Sequence, residues 1–138
     1  MNTTAKVVKA YIESKGFNCQ VMEGKDNVLW STGSGENIQN ARVIMNFDED
    51  GRYVSLRSYN LCKFEDSKKA AMYKVCSELN ASYKWVKFYV DEDDNTITCQ
   101  DDAIIQLDSA GPECFELLLR MFKIMDDCYP VMMKTIWQ

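Results

Sequence analysis

The sequence predicts an α+β fold in which an antiparallel β-sheet carries flanking helices, in the order α-β-β-β(-β)-α-β-β-α. Three observations point there. Apolar residues recur at helical spacing in three separate segments, and the stretches between them alternate or concentrate β-branched and aromatic side chains. Consecutive strand segments are joined by tight turn clusters, which favours antiparallel neighbours over crossovers. The length, 138 residues, supports one sizeable core and not two, so residues 1–138 are read as a single domain.

A first helix is expected from about Thr4 to Lys15. Val7, Val8, Tyr11 and Ile12 share a helical face, a Thr stands at the N-cap position, and Gly16 supplies the stop. The period then shortens. FNCQVM and NVLWS read as short strands split by the turn-like EGKD, and STGSGEN reads as a flexible connection. ARVIMNF and RYVSLRSYNL are stronger strands joined by DEDG. A second helix follows Phe64, capped by Asp66 or Ser67, with Met72, Val75, Cys76, Leu79 and Tyr83 on one stripe. In KWVKFYV, Val86, Phe88 and Val90 alternate with Trp85, Lys87 and Tyr89, which assigns the two sets to opposite faces of a strand. TITCQ follows as another strand. The last helix begins near Gly111 and Pro112 and runs towards Trp137, with Pro130 expected to kink or interrupt it.

VDEDDNT (Val90–Thr96) is the stretch richest in potential chemistry. As a calcium loop, Asp91, Asp93 and Asn95 would fill the first, third and fifth ligand places. Thr96 then stands where such a loop needs Gly, Asp102 stands where it needs a bidentate Glu, and the flanks are strands. A catalytic carboxylate pair needs burial or a cleft to separate its two pKa values, and a hairpin tip offers neither. FDEDGRY repeats the acidic opening at another strand junction, where Asp50-Gly51 suits a tight hairpin as Asp94-Asn95 does here. Both stretches are read as turns.

Composition narrows the function. A net charge of −5 disfavours a nucleic-acid partner, and the lysines at 68, 69, 74, 84 and 87 read as wet helix faces. The absence of histidine removes Ser-His and Cys-His nucleophile pairs and mixed Cys/His zinc sites. No C-x-x-C occurs, and TGSGEN lacks the Gly-Lys-Ser/Thr ending of a phosphate loop, so no catalytic, cofactor-binding or metal-ligating residues are expected. Cys19, Cys62, Cys76, Cys99, Cys114 and Cys128 are widely spaced, several at apolar positions, and are expected as free core thiols. MNTTAKVVKAYIESKGF has no apolar h-region, and the most apolar run, FELLLRMFKIM, is broken by Arg120 and Lys123. The expectation is a cytoplasmic protein with no leader and no membrane partner.

The last helix is the most informative segment. Glu113, Glu116, Arg120, Lys123 and Asp127 make a polar stripe. Phe115, Leu118, Leu119, Phe122 and Met125 form one apolar face, with a second beside it. Two apolar faces exceed what an ordinary surface helix buries, so either the other helices or a partner subunit must cover the second. Leu117, Met121, Ile124, Cys128 and Met132 are accordingly the candidate interface. Asp126 falls on the apolar side of the wheel. Buried without a cation it would have a raised pKa; the expectation is that the helix deviates near Pro130 and lets the side chain out.

SELNASYKWVKFYVDEDDNTI, followed by ELLLRMFKIMDDCYPVMMKTI, resembles the bacterial YbjN-domain proteins. The likeness lies in Leu79-Asn80 ending the middle helix, the strand and turn KWVKFYVDED, and Tyr129-Pro130 near the end of the last helix. FDEDGRYVSLRSYN is similar to the family's central hairpin, and the likeness covers nearly the whole chain. Asp94-Asn95 stands where family members often carry Gly after the second set of acids. The resemblance implies a type III secretion chaperone-like fold, frequent homodimers and a regulatory role in sensory transduction, and it implies no catalytic residue.

Residues and resemblance together lead to a non-enzymatic interaction or regulatory protein, chaperone-like and homodimeric. It is expected to bind a protein or peptide through an exposed sheet edge or apolar helix surface. The alternative is a small-molecule-binding or enzymatic module using carboxylate and Tyr groups in a cleft beside the sheet.

Overall fold

In the computed structural model, which describes residues 1–138, the first helix α1 (Thr3–Ser14) starts one residue earlier than the periodicity suggests. Its cap is Asn2 rather than a Thr: the Asn2 Oδ1 accepts the Ala5 N–H at 2.8 Å. The Asn2 Nδ2 also donates to the Asp48 carbonyl, at 2.9 Å, so the same side chain ties the helix to the acidic turn of the first hairpin. The helix stops at Gly16 (φ +85°), where Gly16 N–H reaches Glu13 C=O and Phe17 N–H reaches Ile12 C=O, a Schellman closure that needs the left-handed residue.

Six strands follow: β1 (Gln20–Val21), β2 (Val28–Gly33), β3 (Ala41–Phe47), β4 (Tyr53–Ser58), β5 (Lys87–Asp91) and β6 (Thr96–Ile104). They make one wholly antiparallel sheet in the order β1-β2-β3-β4-β6-β5. Between β4 and β5 lies a 3-10 turn (Asp66–Lys68) leading into α2 (Lys69–Ser82), which packs beside β5. This excursion lets β6 return to pair with β4. Neither Asp66 nor Ser67 caps α2 with its side chain. Lys87 instead closes its far end, donating Nζ to the Asn80 and Tyr83 carbonyls at 2.7 and 2.8 Å.

Strand alternation decides which face is covered. Leu29, Met45 and Leu56 are consecutive partners in one row and fully buried, as are Val43, Ile97 and Cys99 on the same side. On the other side, Arg42, Asn46, Tyr53, Tyr89 and Asp102 are exposed. That face is left to solvent, with Arg42 stacked over the Trp30 ring at 4.0 Å. Both acidic stretches are turns. Asp48 Oδ1 accepts the Arg52 and Tyr53 N–H groups at 2.7 and 2.9 Å, and Gly51 supplies a φ of +68°. In the second, Asn95 takes φ +56° and Asp91 Oδ1 accepts the Asp93 N–H at 3.0 Å.

The last helix, α3 (Ala110–Trp137), crosses the covered face as one unbroken element. Its buried stripe is Cys114, Leu118, Met121, Met125, Cys128 and Met132, spaced four and three residues apart, and burial of each large member is worth about 1.5–3 kcal/mol. This stripe runs between the two faces expected from the wheel and leaves both as half-buried flanks. On one flank Phe115 meets Tyr11 and Phe17 edge-on, with ring centroids 5.9 and 5.3 Å apart.

Candidate interaction surface

Of the five residues expected at an interface, Met121, Cys128 and Met132 are fully buried in the monomer's own core. They are therefore core residues, because α3 lies flat across the sheet with α1 and α2 packed against its sides. Leu117 and Ile124 stay half-buried on the outer flank. Of the five, only these two keep surface outside the monomer's core.

Asp126 is not released to solvent, and Pro130 does not break the helix. The two outcomes have one cause. Pro130 has no N–H, so the carbonyl four residues back, that of Asp126, loses its helical donor. Asn37 replaces it, donating Nδ2 to the Asp126 carbonyl at 3.0 Å. The Asp126 carboxylate in turn accepts the Asn37 and Ile38 N–H groups at 2.8 and 3.0 Å and the Glu36 N–H at 3.2 Å. The backbone donors, Asn37 first, hold its pKa below the ordinary carboxylate value despite burial. The segment read as a flexible connection is thus partly strand (Ser31–Gly33) and partly a loop pinned to α3, with no room for a Cβ at Gly35.

Sheet edges give the sharpest contrast. At β5, the Phe88 N–H donates to Asn80 Oδ1 at 2.7 Å and the Asn80 Nδ2 donates to the Phe88 carbonyl at 2.9 Å. At β2, beyond the two-residue β1, Asn18 does the same for Thr32, with both bonds at 3.0 Å. Each side-chain amide stands where a neighbouring strand would pair, which closes the edge at that point. Val21 of β1 and Val90 of β5 are single unplugged positions, and the longest open stretch lies on β6. The β5–β6 ladder ends at Lys87 and Gln100, whereas β6 continues to Ile104 with β4 on its other side only. By the alternation of these ladders, Asp102 and Ile104 turn their N–H and C=O groups towards the open side.

Exposed apolar side chains gather at this stretch. Ile104 is 77 % exposed, its partner Tyr53 and nearby Leu107 are exposed, and Trp85 is 58 % exposed. Trp85 does not continue the outward set of its strand as the alternation suggests. Its φ of +72° turns the chain before β5 begins, and its ring lies with Ala103, Leu117 and Arg120 on the helix side. A bulky residue in the left-handed region costs about 1–2 kcal/mol, and no sequence pattern marks it. Asp101 occupies the otherwise apolar row of Leu29, Met45 and Leu56. It is 8 % exposed, its Oδ2 has no hydrogen-bond partner, and burial, aided by the neighbouring Asp102 charge, pushes its carboxyl up to about 6.

Elsewhere the chemistry is subdued. All six cysteines are buried and unpaired, and burial raises every thiol, to about 11 for Cys19, Cys76 and Cys128 and to about 12 for Cys62 and Cys114. No three Cys, Asp or Glu side chains converge as metal ligands would, and no helix is long and apolar enough to cross a membrane. A cleft of about 420 Å³ opens where β3 and β4 diverge, lined by amides and phenols such as Asn37, Asn60, Tyr59 and Tyr129. Its only formally charged lining side chain is that of Arg42.

A family model for YbjN, described as "Putative bacterial sensory transduction regulator", matches residues 4–130. Among solved structures, the chain is similar to YbjN from E. coli, described as "a putative transcription regulator": 10% identity, TM-score 0.62, covering 90% of this chain and 89% of that one. It is also similar to a chain of the heterodimeric ExoU–SpcU complex from the type III secretion system of Pseudomonas aeruginosa, with 11% identity, TM-score 0.59, and coverage of 94% and 97%. No curated protein matches the sequence. The structural likenesses show the fold, which is type III secretion chaperone-like.

Proposed function

The chain belongs to the YbjN family, and from that membership and the longest open stretch of its sheet edges we propose a non-enzymatic interaction or regulatory protein that takes up an extended segment of a polypeptide partner beside β6. The observation that carries this reading is the pattern of edges. Asn18 and Asn80 occupy the pairing positions at Thr32 and Phe88, while Asp102 and Ile104 offer theirs next to the exposed Trp85, Tyr53 and Ile104. Main-chain pairing supplies affinity in such strand addition, and alternate side chains supply selectivity. The ExoU–SpcU chain of like fold sits in a complex with another protein, which supports a protein partner here. The high thiol pKa values and the absence of histidine support a role without bond-making.

The test is binding of extended peptides to the full chain, followed through the backbone amides of Asp102 and Ile104 by NMR. Strand addition shifts both amides and protects them from hydrogen exchange, and replacing Ile104 with Pro, which lacks the donor, removes binding. Peptide binding that leaves both amides unmoved overturns the reading.

The proposal includes a homodimer, supported by apolar surface left along α3 at Leu119, Ile124, Val131 and Trp137, the last 80 % exposed. Light scattering should then give twice the chain mass of 15.9 kDa, and a monomer at every concentration removes this part. A second reading, small-molecule binding, is favoured by the 420 Å³ cleft. A thermal-shift screen of polar metabolites tests it, and stabilisation abolished by Tyr129→Phe or Asn60→Ala would select it.

A further inference from the structure

On the helix side of the open β6 stretch lies a second cleft, of about 240 Å³, between Trp85, Ala103, Leu117, Glu113, Glu116 and Arg120. Ala103 and Leu117 are its only aliphatic lining residues. Arg120 donates Nη2 to Glu116 Oε1 at 2.8 Å, and its guanidinium sits 6.0 Å from the centre of the Trp85 ring, at the outer limit of cation–π attraction. The cleft therefore already holds a guanidinium loosely, on a pair of groups suited to one. Glu113, bonded only to the Ser109 hydroxyl, adds a negative charge without a cation. Asp101 lies two residues before Ala103 on the same face of the same strand, more than nine-tenths buried, and its Oδ2 lacks any donor. A buried acceptor without a donor stands ready for one supplied from outside.

We propose that this cleft is a side-chain subsite for the polypeptide taken up beside β6, and that it selects an arginine or lysine. Along an added strand every second side chain turns to the helix side, where the cleft lies. The incoming cation stacks on Trp85, pairs with Glu116 and Glu113, and brings a positive charge to the strand face that carries Asp101, while Arg120 swings out into solvent. Arg120 is thus an internal competitor. The subsite rests on the strand-addition reading, and its test separates the two.

The probes are the blocked tripeptides acetyl-Val-Xaa-Val-amide, with arginine, lysine, citrulline or glutamate in the middle. Each is titrated into the full-length chain while the Trp85 indole N–H, assigned with Trp85→Phe, and the Asp102 and Ile104 amides are followed by NMR. The arginine and lysine peptides are expected to move all three signals, with the neutral citrulline peptide at least about tenfold weaker, the scale of one charge-assisted contact. Glu116→Gln should narrow that preference, and Arg120→Ala should tighten the arginine peptide by about threefold or more by removing the occupant. Equal binding of citrulline and arginine overturns the subsite, as does movement of the amides without Trp85, and in both cases strand addition stands. If no peptide moves any signal, the subsite and the strand-addition reading fall together.

Discussion

Asp101 and Asp126 are both buried acids, and their surroundings send them in opposite directions. Three backbone N–H groups face Asp126, so its folded pKa is depressed. Its contribution is present above the ordinary carboxylate pKa and is lost as pH falls through the lower folded value. Asp101 lacks such a set of donors, its Oδ2 having no partner, and burial raises it from 3.8 to about 6. Between those values the native state binds more protons than the unfolded chain, so this residue makes stability fall as pH rises from about 4 to about 6. Above that range the penalty is complete, on the order of 1–3 kcal/mol. Asp101→Asn should therefore raise urea-denaturation stability at pH 8 by on the order of 1–2 kcal/mol and change it little at pH 4. An equal effect at both pH values would show that the carboxylate is solvated. Neither environment is visible in the sequence, where Asp126 reads only as an acid on the wrong side of a wheel. Its partners lie 88 to 90 residues away, beyond any local pattern.

The helix through Pro130 shows how elements lend each other hydrogen bonds. The missing Pro130 donor leaves the Asp126 carbonyl to Asn37, so loop and helix share one defect. Asn37→Ala should cost about 1 kcal/mol in the native sequence and markedly less in a Pro130→Ala background, where a restored N–H serves the same carbonyl. A double-mutant cycle measures this, and additive effects would separate the two residues. At β5 the amide of Asn80 plays the part of a strand, so Asn80→Ala should cost about 1–3 kcal/mol and raise concentration-dependent association as Phe88 becomes free to pair. Association unchanged in light scattering would mean that α2 covers the edge without it. Elements with strong local signals were legible: ARVIMNF is β3 residue for residue, and the acidic tips are turns as the repeated DED suggests. The plugs were not, because an Asn after a helical stripe reads as a cap or a turn. Trp85 was misplaced because alternation assumes extended backbone through a residue that leaves it. On α3 the spacing showed a wide apolar surface but not which part of it the sheet would claim.

At the scale of the whole molecule, one buried cluster joins all three helices to the covered face of the sheet, and the other face remains in water. The chain length argued for one core, and the six cysteines offer a way to ask whether it opens as one. They are spread across it: Cys19 before β1, Cys62 after β4, Cys76 in α2, Cys99 in β6, and Cys114 and Cys128 in α3. With a pKa of about 11 to 12, five of these thiols are at most about one part in a thousand thiolate at pH 8. Burial holds Cys99 well above the ordinary value as well. An ordinary exposed cysteine would be roughly a quarter ionised there. Reaction with an aromatic disulfide reagent must therefore wait for an opening that restores both access and acidity. If residues 1–138 are a single cooperative domain, none of the six should react in the time that denatured chain reacts fully, and all six should follow one slow rate. The logarithm of that rate should fall in Asp101→Asn in proportion to the stability gained, provided opening and closing outpace the chemistry. Two rate classes, with Cys62 and Cys76 ahead of Cys19 and Cys114, would mean that the α2 end opens on its own and that the core is divided.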